Sequence, residues 1–279
     1  MAKFDLHLHS TYSDGSADIK ELVDSVIKSD IKIFALTDHD TVDGIDIIEK
    51  YIPADLNFIK GIELTCTTHG INCHILGYGI NHKSKELAAL IKLGKSLRRQ
   101  KLDTRIKYLK DVWNIELNSE ELDWLYSRNS VVKTHIANLL VNRGLSDNNI
   151  DAMKKYLDGC KTGNTKFDGE IAIKTIIASE GIPIWAHPLG GEGEEHLSQK
   201  EFLQQLQTMI KCGIRGLECY YSRYSMEEVE FLVQCANQNN LLISGGSDWH
   251  GANKTVKIGA LNTDNVYIDS RDITILNCL

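Results

Sequence analysis

The sequence predicts an α/β protein: a barrel-like closed sheet interrupted by one inserted helical subdomain. Two observations lead there. Apolar stretches of strand length alternate with amphipathic stretches of helix length over the first third of the chain and again beyond about residue 166, which is the rhythm of parallel βαβ units. Between about Ser84 and about Thr165 the strand signal disappears and only helical patterning remains.

Taken in order, a strand is expected over Phe4–His9, a helix near Asp18–Ser29, a strand over Ile33–His39 and a helix near Val42–Tyr51. Strands over Phe58–Cys66 and Cys73–Tyr78 follow. The insertion reads as a long helix through Leu97 and Ile106, then shorter ones near Glu120–Tyr126, Thr134–Asn142 and Asn148–Leu157. Beyond it, strands over Ile182–His187, Gly216–Tyr220 and Leu241–Ser247 alternate with helices near Glu170–Glu180, Lys200–Cys212 and Met226–Asn239. The barrel is therefore assigned to residues 1–83 and 166–279 and the helical subdomain to 84–165. With no repeat and no low-complexity linker, the subdomain is expected to pack on the barrel as a cap.

The 279 residues, 42% hydrophobic and 25% charged with three prolines, suit an ordinary globular chain and exclude a disordered or fibrous one. A net charge of −7 argues against a general polyanion-binding surface and hence against a stable nucleic-acid complex, while leaving room for a local positive pocket. The start MAKFDLHLHS has no apolar signal core, and no stretch approaches the roughly 18 apolar residues of a membrane span. A cytoplasmic protein without membrane partners is expected. The seven cysteines form no CxxC pair and read as small core residues.

Six of the ten histidines, His7, His9, His39, His74, His187 and His250, sit at or just beyond the C-terminal end of a predicted strand or in a short run following one. In a parallel barrel those ends open on one face, where the site is built. His7 and His9, two apart on a strand, point to the same side and can grip one ion together; Asp248 and His250 do the same if strand geometry continues that far. Carboxylates stand in matching places: Asp14 in a turn after the first strand, Asp38 beside His39, and Glu63 at the end of Phe58–Glu63. Mixed imidazole and carboxylate donors suit Zn²⁺, Mn²⁺ or Fe²⁺ better than Ca²⁺ or Mg²⁺. A lone His-x-His says little; the joint occurrence at separate strand ends points to a metal cluster. His69, His82 and His196 are read as surface residues, and Arg98, Arg99, Lys101 and Arg105 as the wet face of a long helix.

Those residues resemble the PHP (polymerase and histidinol phosphatase) family of metal-dependent phosphoesterases. The resemblance runs through Asp5-Leu6-His7-Leu8-His9-Ser10, Ser13-Asp14-Gly15, Thr37-Asp38-His39-Asp40, Gly61-Ile62-Glu63, His74-Ile75-Leu76-Gly77-Tyr78, Ala186-His187-Pro188 and Gly246-Ser247-Asp248-Trp249-His250-Gly251. It implies a distorted (β/α)7 barrel holding two to three divalent transition-metal ions (Mn, Fe or Zn). The ligands it implies are His7, His9, Asp14, His39, Glu63, His74, His187, Asp248 and His250. By the same resemblance His7 and His9 hold one ion, Asp14 and His39 help hold a second, His74 and His187 hold a third, and Glu63 bridges two. Asp38 and Asp40 are read as acceptors that orient imidazoles.

The implied activity is hydrolysis of phosphate monoesters by attack of a hydroxide bridging two ions. The stand-alone members that the chain resembles include nucleoside 3′,5′-bisphosphate phosphatases and RNA 5′-end processing enzymes. A small phosphorylated substrate, a nucleotide bisphosphate, is therefore expected, or else short RNA. Lys133-Thr134-His135 stands where the family pattern more usually reads Arg-Pro-His, so Lys133 and His135 are the candidate substrate-binding residues. A cyclic-phosphate phosphodiesterase or a 5′-3′ oligoribonuclease on the same metals is the alternative. An amidohydrolase-type deaminase also begins with His-x-His, but Asp14, Glu63 and His74 fit it less well.

Overall fold

The computed structural model describes residues 3–128, 131–163 and 166–279. Thr165, the expected end of the insertion, lies outside the described residues. The chain divides into two compact units, Met1–Leu90 with Phe167–Leu279, and Ile91–Lys166.

The first unit opens with β1 (Lys3–Leu8), α1 (Ile19–Lys28), β2 (Ile31–Leu36), the short α2 (Ile45–Ile48), β3 (Asn57–Thr68) and β4 (Ile71–Tyr78). α1 starts where its sequence says it should: Asp18 accepts from the Glu21 amide while the Glu21 side chain returns to the Asp18 amide, satisfying two donors that a helix start leaves open. Its apolar stripe, Ile19, Leu22, Val23 and Val26, packs with Leu8, Phe34 and Leu36 in one buried core. α3 (Lys85–Trp113) contains the division between the units. α4 (Ser119–Ser127), α5 (Lys133–Asn142) and α6 (Asn149–Ala152), which continues as a π-helical turn over Met153–Leu157, belong to the second unit. That unit has its own core, with Leu102 and Leu109 of α3 against Leu125, Ile136, Leu140 and Tyr156.

The chain then resumes the first unit with β5 (Phe167–Asp168), α7 (Gly169–Ala178), β6 (Ile182–Ala186), α8 (Gln199–Cys212), β7 (Gly216–Tyr221), α9 (Met226–Gln238) and β8 (Leu242–Gly246). The sheet runs β1-β2-β3-β4-β6-β7-β8, with β5 beside β3. A bridge from Leu8 to Trp249 and the Ser247 amide on Asp5 Oδ1, 2.9 Å away, bring its two edges together. The result is a nearly closed, barrel-shaped sheet of seven strands. Among the described residues no helix is long and apolar enough to cross a membrane.

Two local expectations change. β4 is antiparallel to both β3 and β6 while the other neighbours on the path are parallel, because His69 and Gly70, at φ 49° and 84°, turn the chain straight back as a hairpin. Its first half, with His74, therefore lies beside the ends of the parallel strands. The predicted helix near Val42–Tyr51 shrinks to the four residues of α2. Five cysteines are buried as read, whereas Cys160 is half-buried and Cys278 exposed.

Candidate metal centre

Each donor arrives on a defined piece of backbone. On β1 the alternation of a strand sends Asp5 and His7 to one side, and His9 follows just past its end. Asp14 comes from the turn before α1, His39 from the loop after β2, Glu63 from β3 and His74 from β4. Thr65 pairs directly with His74 across the hairpin, so Glu63, two residues before Thr65, shares the face of His74. His187 follows β6, and Asp248 and His250 follow β8. Strand geometry does not continue through Asp248: this residue, at φ 59°, and His187, at φ 28°, stand on left-handed backbone. Such backbone costs about 1–3 kcal/mol and persists only where surroundings impose it. β8 also comes unusually close to β1, since a Cβ on Gly246 would lie 2.3 Å from that of His7.

The structure brings all nine predicted donors together. Five imidazoles converge on the buried Glu63 carboxylate. His7 Nε2, His9 Nε2 and His39 Nδ1 lie 3.1, 3.2 and 3.1 Å from Oε2, and His74 Nδ1 and His187 Nε2 lie 2.9 and 3.2 Å from Oε1. Asp14 Oδ1 is 3.2 Å from His250 Nε2, and Asp248 Oδ1 is 3.4 Å from His9 Nε2. Three donor groups close to within 4.8 Å: His9, Asp14, His39 and His250; His7, His9, Glu63 and Asp248; and His39, Glu63 and His74. His9, His39 and Glu63 each belong to two of them, and His187, expected beside His74, belongs to none. His9 Nε2, His39 Nδ1 and Asp14 Oδ1 are buried without a hydrogen-bond partner among the described residues. Unsatisfied buried polar atoms are costly, and here all three point into the donor groups. A borderline transition metal with nitrogen and oxygen ligands fits this donor set.

The PHP domain model matches residues 5–180. The chain belongs to the PHP domain family. It is 31% identical, over 89% of its own length and 90% of the relative's, to a 5′-3′ exoribonuclease of Haemophilus influenzae. It is 25% identical, over 90% and 88%, to a 3′,5′-nucleoside bisphosphate phosphatase of Chromobacterium violaceum. In fold it resembles the crystal structure of a putative metal-dependent phosphoesterase from Bifidobacterium adolescentis, with a TM-score of 0.79 and 23% identity, covering 94% of this chain and 93% of that one. Membership in the PHP family makes the chain a metal-dependent phosphoric ester hydrolase.

Around this PHP centre stands a set of residues that the sequence reading passed over. Glu218, fully buried on β7, places Oε1 2.9 Å from His7 Nδ1 and accepts the His187 amide on Oε2 at 2.8 Å. Its signal was available: one carboxylate inside the apolar run Gly216–Tyr221, where a charge needs a partner. Glu194 stands 3.3 Å from His187 Nδ1. Lys254 Nζ, 2.6 Å away, and the Tyr221 hydroxyl, 3.0 Å away, both donate to Asp248 Oδ2. Asp38, read as an acceptor for imidazoles, instead accepts from the Ser10 amide and the Ser10 and Ser13 hydroxyls. Ser13 Oγ is in turn 3.5 Å from His9 Nδ1. Asp40 accepts from the Thr65 amide.

Burial opposes charge on His7, His9, His187, Glu63, Asp14 and Asp248, yet opposite charges outweigh it on each of them. Glu218, Glu63 and Asp248 hold the His7 imidazolium well above its ordinary range. His9 rises to about 9 against burial through Asp248 and Glu63, and His187 to about 10 through Glu194 and Glu63. Glu63, Asp14 and Asp248 are held well below the carboxylate range despite burial. For His39 burial prevails, and its pKa falls.

Lys133 and His135 belong to the second unit. Lys133 ion-pairs with Asp158. His135 is buried, with Nδ1 accepting the Val132 amide at 3.0 Å and its ring edge-on to Trp124. The expected wet face of α3 is partly covered: Arg98, Lys101 and Arg105 are half-buried, and only Arg99 is exposed, stacked over Tyr126. His69 and His196 are exposed, but His82 is half-buried against Asp46.

Proposed function

We propose that this chain is a cytoplasmic phosphomonoesterase of small nucleotides, releasing the 3′-phosphate of nucleoside 3′,5′-bisphosphates. The observation that carries the reading is the convergence of five imidazoles on Glu63, flanked by Asp14 and Asp248. His7, His9, Asp14, His39, Glu63, His74, His187, Asp248 and His250 are the proposed holders of two to three Mn, Fe or Zn ions. Bound there, such ions supply an acidified water and neutralise charge on the phosphoryl oxygens. The chain contributes the rest: Glu218 orients His7, Lys254 and Tyr221 fix one oxygen of Asp248, and closely packed strands keep the donors in place. The bisphosphate phosphatase among the relatives supports the substrate, and the net charge of −7 favours a small anion over a long one. A second reading, 5′-to-3′ cleavage of short RNA, is favoured by the 31% identity to an exoribonuclease.

The test is phosphate and nucleotide release by Mn-loaded protein from adenosine 3′,5′-bisphosphate, p-nitrophenyl phosphate and a short 5′-phosphorylated RNA. The bisphosphate is expected to lead in kcat/KM by about tenfold or more, and His7→Ala or Glu63→Ala to lower kcat at least about a hundredfold, the scale of metal-assisted activation. Mononucleotides released from RNA with the higher kcat/KM would replace the first reading by the second. Near wild-type turnover in His7→Ala would overturn both.

A further inference from the structure

The hairpin of β3 and β4 brings Glu63 and His74 to the metal centre on one face, and on its other face it sets two cysteines side by side. Cys66 and Cys73 are direct partners in the antiparallel register. Each is the chain neighbour of a member of the Thr65–His74 pair, so both point away from the donors. Lys60 accepts the amide of Gly79, which the register sets opposite it, while the Thr65 amide turns the other way, to Asp40. Even-numbered residues of β3 therefore direct their backbone groups at β4. Cys66 and Cys73 form a hydrogen-bonded pair, whose Cα atoms stand about 5.5 Å apart. That spacing lies within the roughly 4.4–6.8 Å that a disulfide spans.

Both are free thiols, Cys66 wholly buried and Cys73 5% exposed. The Cys66 thiol donates to the Leu64 carbonyl at 3.3 Å, and Cys73 Sγ lies 3.3 Å from Thr68 Oγ1. Hydrogen bonds of sulfur are weak, so turning either side chain to another rotamer costs little. β6 accompanies β4 from Tyr78 only as far as His74, and Ile71–Cys73 run on beyond it toward the His69-Gly70 turn. That turn and Asn72 are exposed. A strand end held along one edge opens more readily than the middle of a sheet, which gives a small oxidant access to Cys73.

We propose that Cys66 and Cys73 are a dithiol–disulfide site that closes under a peroxide and loosens the hold of the metal centre on its ions. One sulfur attacks a peroxide oxygen and the O–O bond breaks, giving a sulfenic acid and one water. The second sulfur displaces the hydroxyl from the first, which leaves with the remaining thiol proton as a second water. The two thiols lose two hydrogens in all, and hydrogen peroxide is reduced to two waters. A disulfide needs its Cβ atoms about 3.8 Å apart, closer than the roughly 5.5 Å of opposite strand residues, so the strands draw together at Cys73. His74 is the next residue, with Nδ1 2.9 Å from Glu63 Oε1. Metal sites hold their distances to within about 0.2 Å, so this displacement weakens binding. The weakening rests on the reading of the metal centre, whereas the disulfide does not.

The experiment treats the full chain, stripped of metal by a chelator that is then removed, with hydrogen peroxide and blocks the remaining thiols with iodoacetamide. Trypsin releases residues 61–83 as one peptide holding Cys66, Cys73 and no other cysteine. Its mass is expected to lack both alkyl groups and to fall two hydrogens short of the dithiol, and dithiothreitol should restore both thiols. Manganese, titrated calorimetrically, should bind the oxidised chain about tenfold or more weakly than the reduced one, with recovery on reduction. In Cys66→Ser the same treatment should change manganese affinity less than about twofold. Two alkylated thiols in the peroxide-treated parent, or oxygen added to the sulfurs without a bond between them, would overturn the site, and this reading needs no variant. A disulfide with manganese affinity unchanged, or weakening that persists in folded Cys66→Ser, would overturn its coupling to the centre. Absence of manganese binding by the reduced chain would sink the metal reading and the coupling together, and the peptide mass would still decide the disulfide.

Discussion

Glu218 holds two parts of the centre with one carboxylate, receiving the ring of His7 on one oxygen and the amide of His187 on the other. The charge on that carboxylate raises the basicity of the His7 ring and fixes which nitrogen faces Glu63, 3.1 Å away. Carboxylates in this position tune metal affinity nearly as strongly as the donors themselves. Glu218→Gln keeps the volume and removes the charge, so the fold should survive while metal affinity falls about 10–100-fold. Competition with a chromogenic chelator measures this directly; unchanged affinity in the variant would make Glu218 a packing residue. Asp5, also buried and an acceptor of the His7 amide, has a different task. It accepts the Ser247 amide and hydroxyl and the Gly259 amide, and burial raises its pKa to about 6. It acts as a clamp between β1 and the chain beyond β8.

At the scale of elements, the closure of β8 on β1 depends on Gly246. An alanine there would place its methyl 2.3 Å from His7 Cβ and 2.5 Å from the His7 nitrogen, and backbone cannot yield as a flexible side chain does. Overpacking of this kind costs about 1–3 kcal/mol. Gly246→Ala should therefore lower the unfolding free energy, measured by denaturant titration, by that amount and, by moving His7 away from Asp248, also reduce bound metal. Retention of full metal content would show that the strands can slide apart without disturbing the donors. Much at this scale was legible beforehand, because strands such as Ile182–Ala186 and Leu242–Gly246 are short apolar runs and α1, α8 and α9 carry amphipathic stripes and capping boxes. The direction of β4 was not, since alternation with a period of two is the same in a parallel and an antiparallel strand; only the His69-Gly70 turn carried that information. The donors were legible because histidine and carboxylate at strand ends form a local pattern. Glu218 and Lys254 went unnoticed because their partners are 211 and six residues away in the chain and are joined only by the fold.

For the whole molecule, the charges of the centre bind stability to pH in opposite ways with and without metal. In the metal-free chain His187 and His9 have pKa values raised from 6.5 to about 10 and about 9. The stabilisation they give is complete below the unfolded value of 6.5 and is lost as pH rises through 9 and 10. Glu194, lowered from 4.5 to about 2 by His187 against its own burial, contributes fully above 4.5 and loses its contribution as pH falls toward 2. Both are complete only between the two unfolded values, 4.5 and 6.5, where the metal-free protein should be most stable. Metal binding demands neutral imidazoles, so protons compete with the ions and affinity grows with pH; ligand binding to the folded state adds stability in proportion. Thermal unfolding from about pH 5.5 to about pH 8.5 should therefore show a falling midpoint for chelated protein and a rising one with saturating manganese. A change of roughly 1 kcal/mol corresponds to about 2–4 °C in a chain of this size, within reach of calorimetry. Parallel slopes for the two forms would mean that the histidines clustered on Glu63 do not exchange protons for metal, and the assignment of the centre would fall with them.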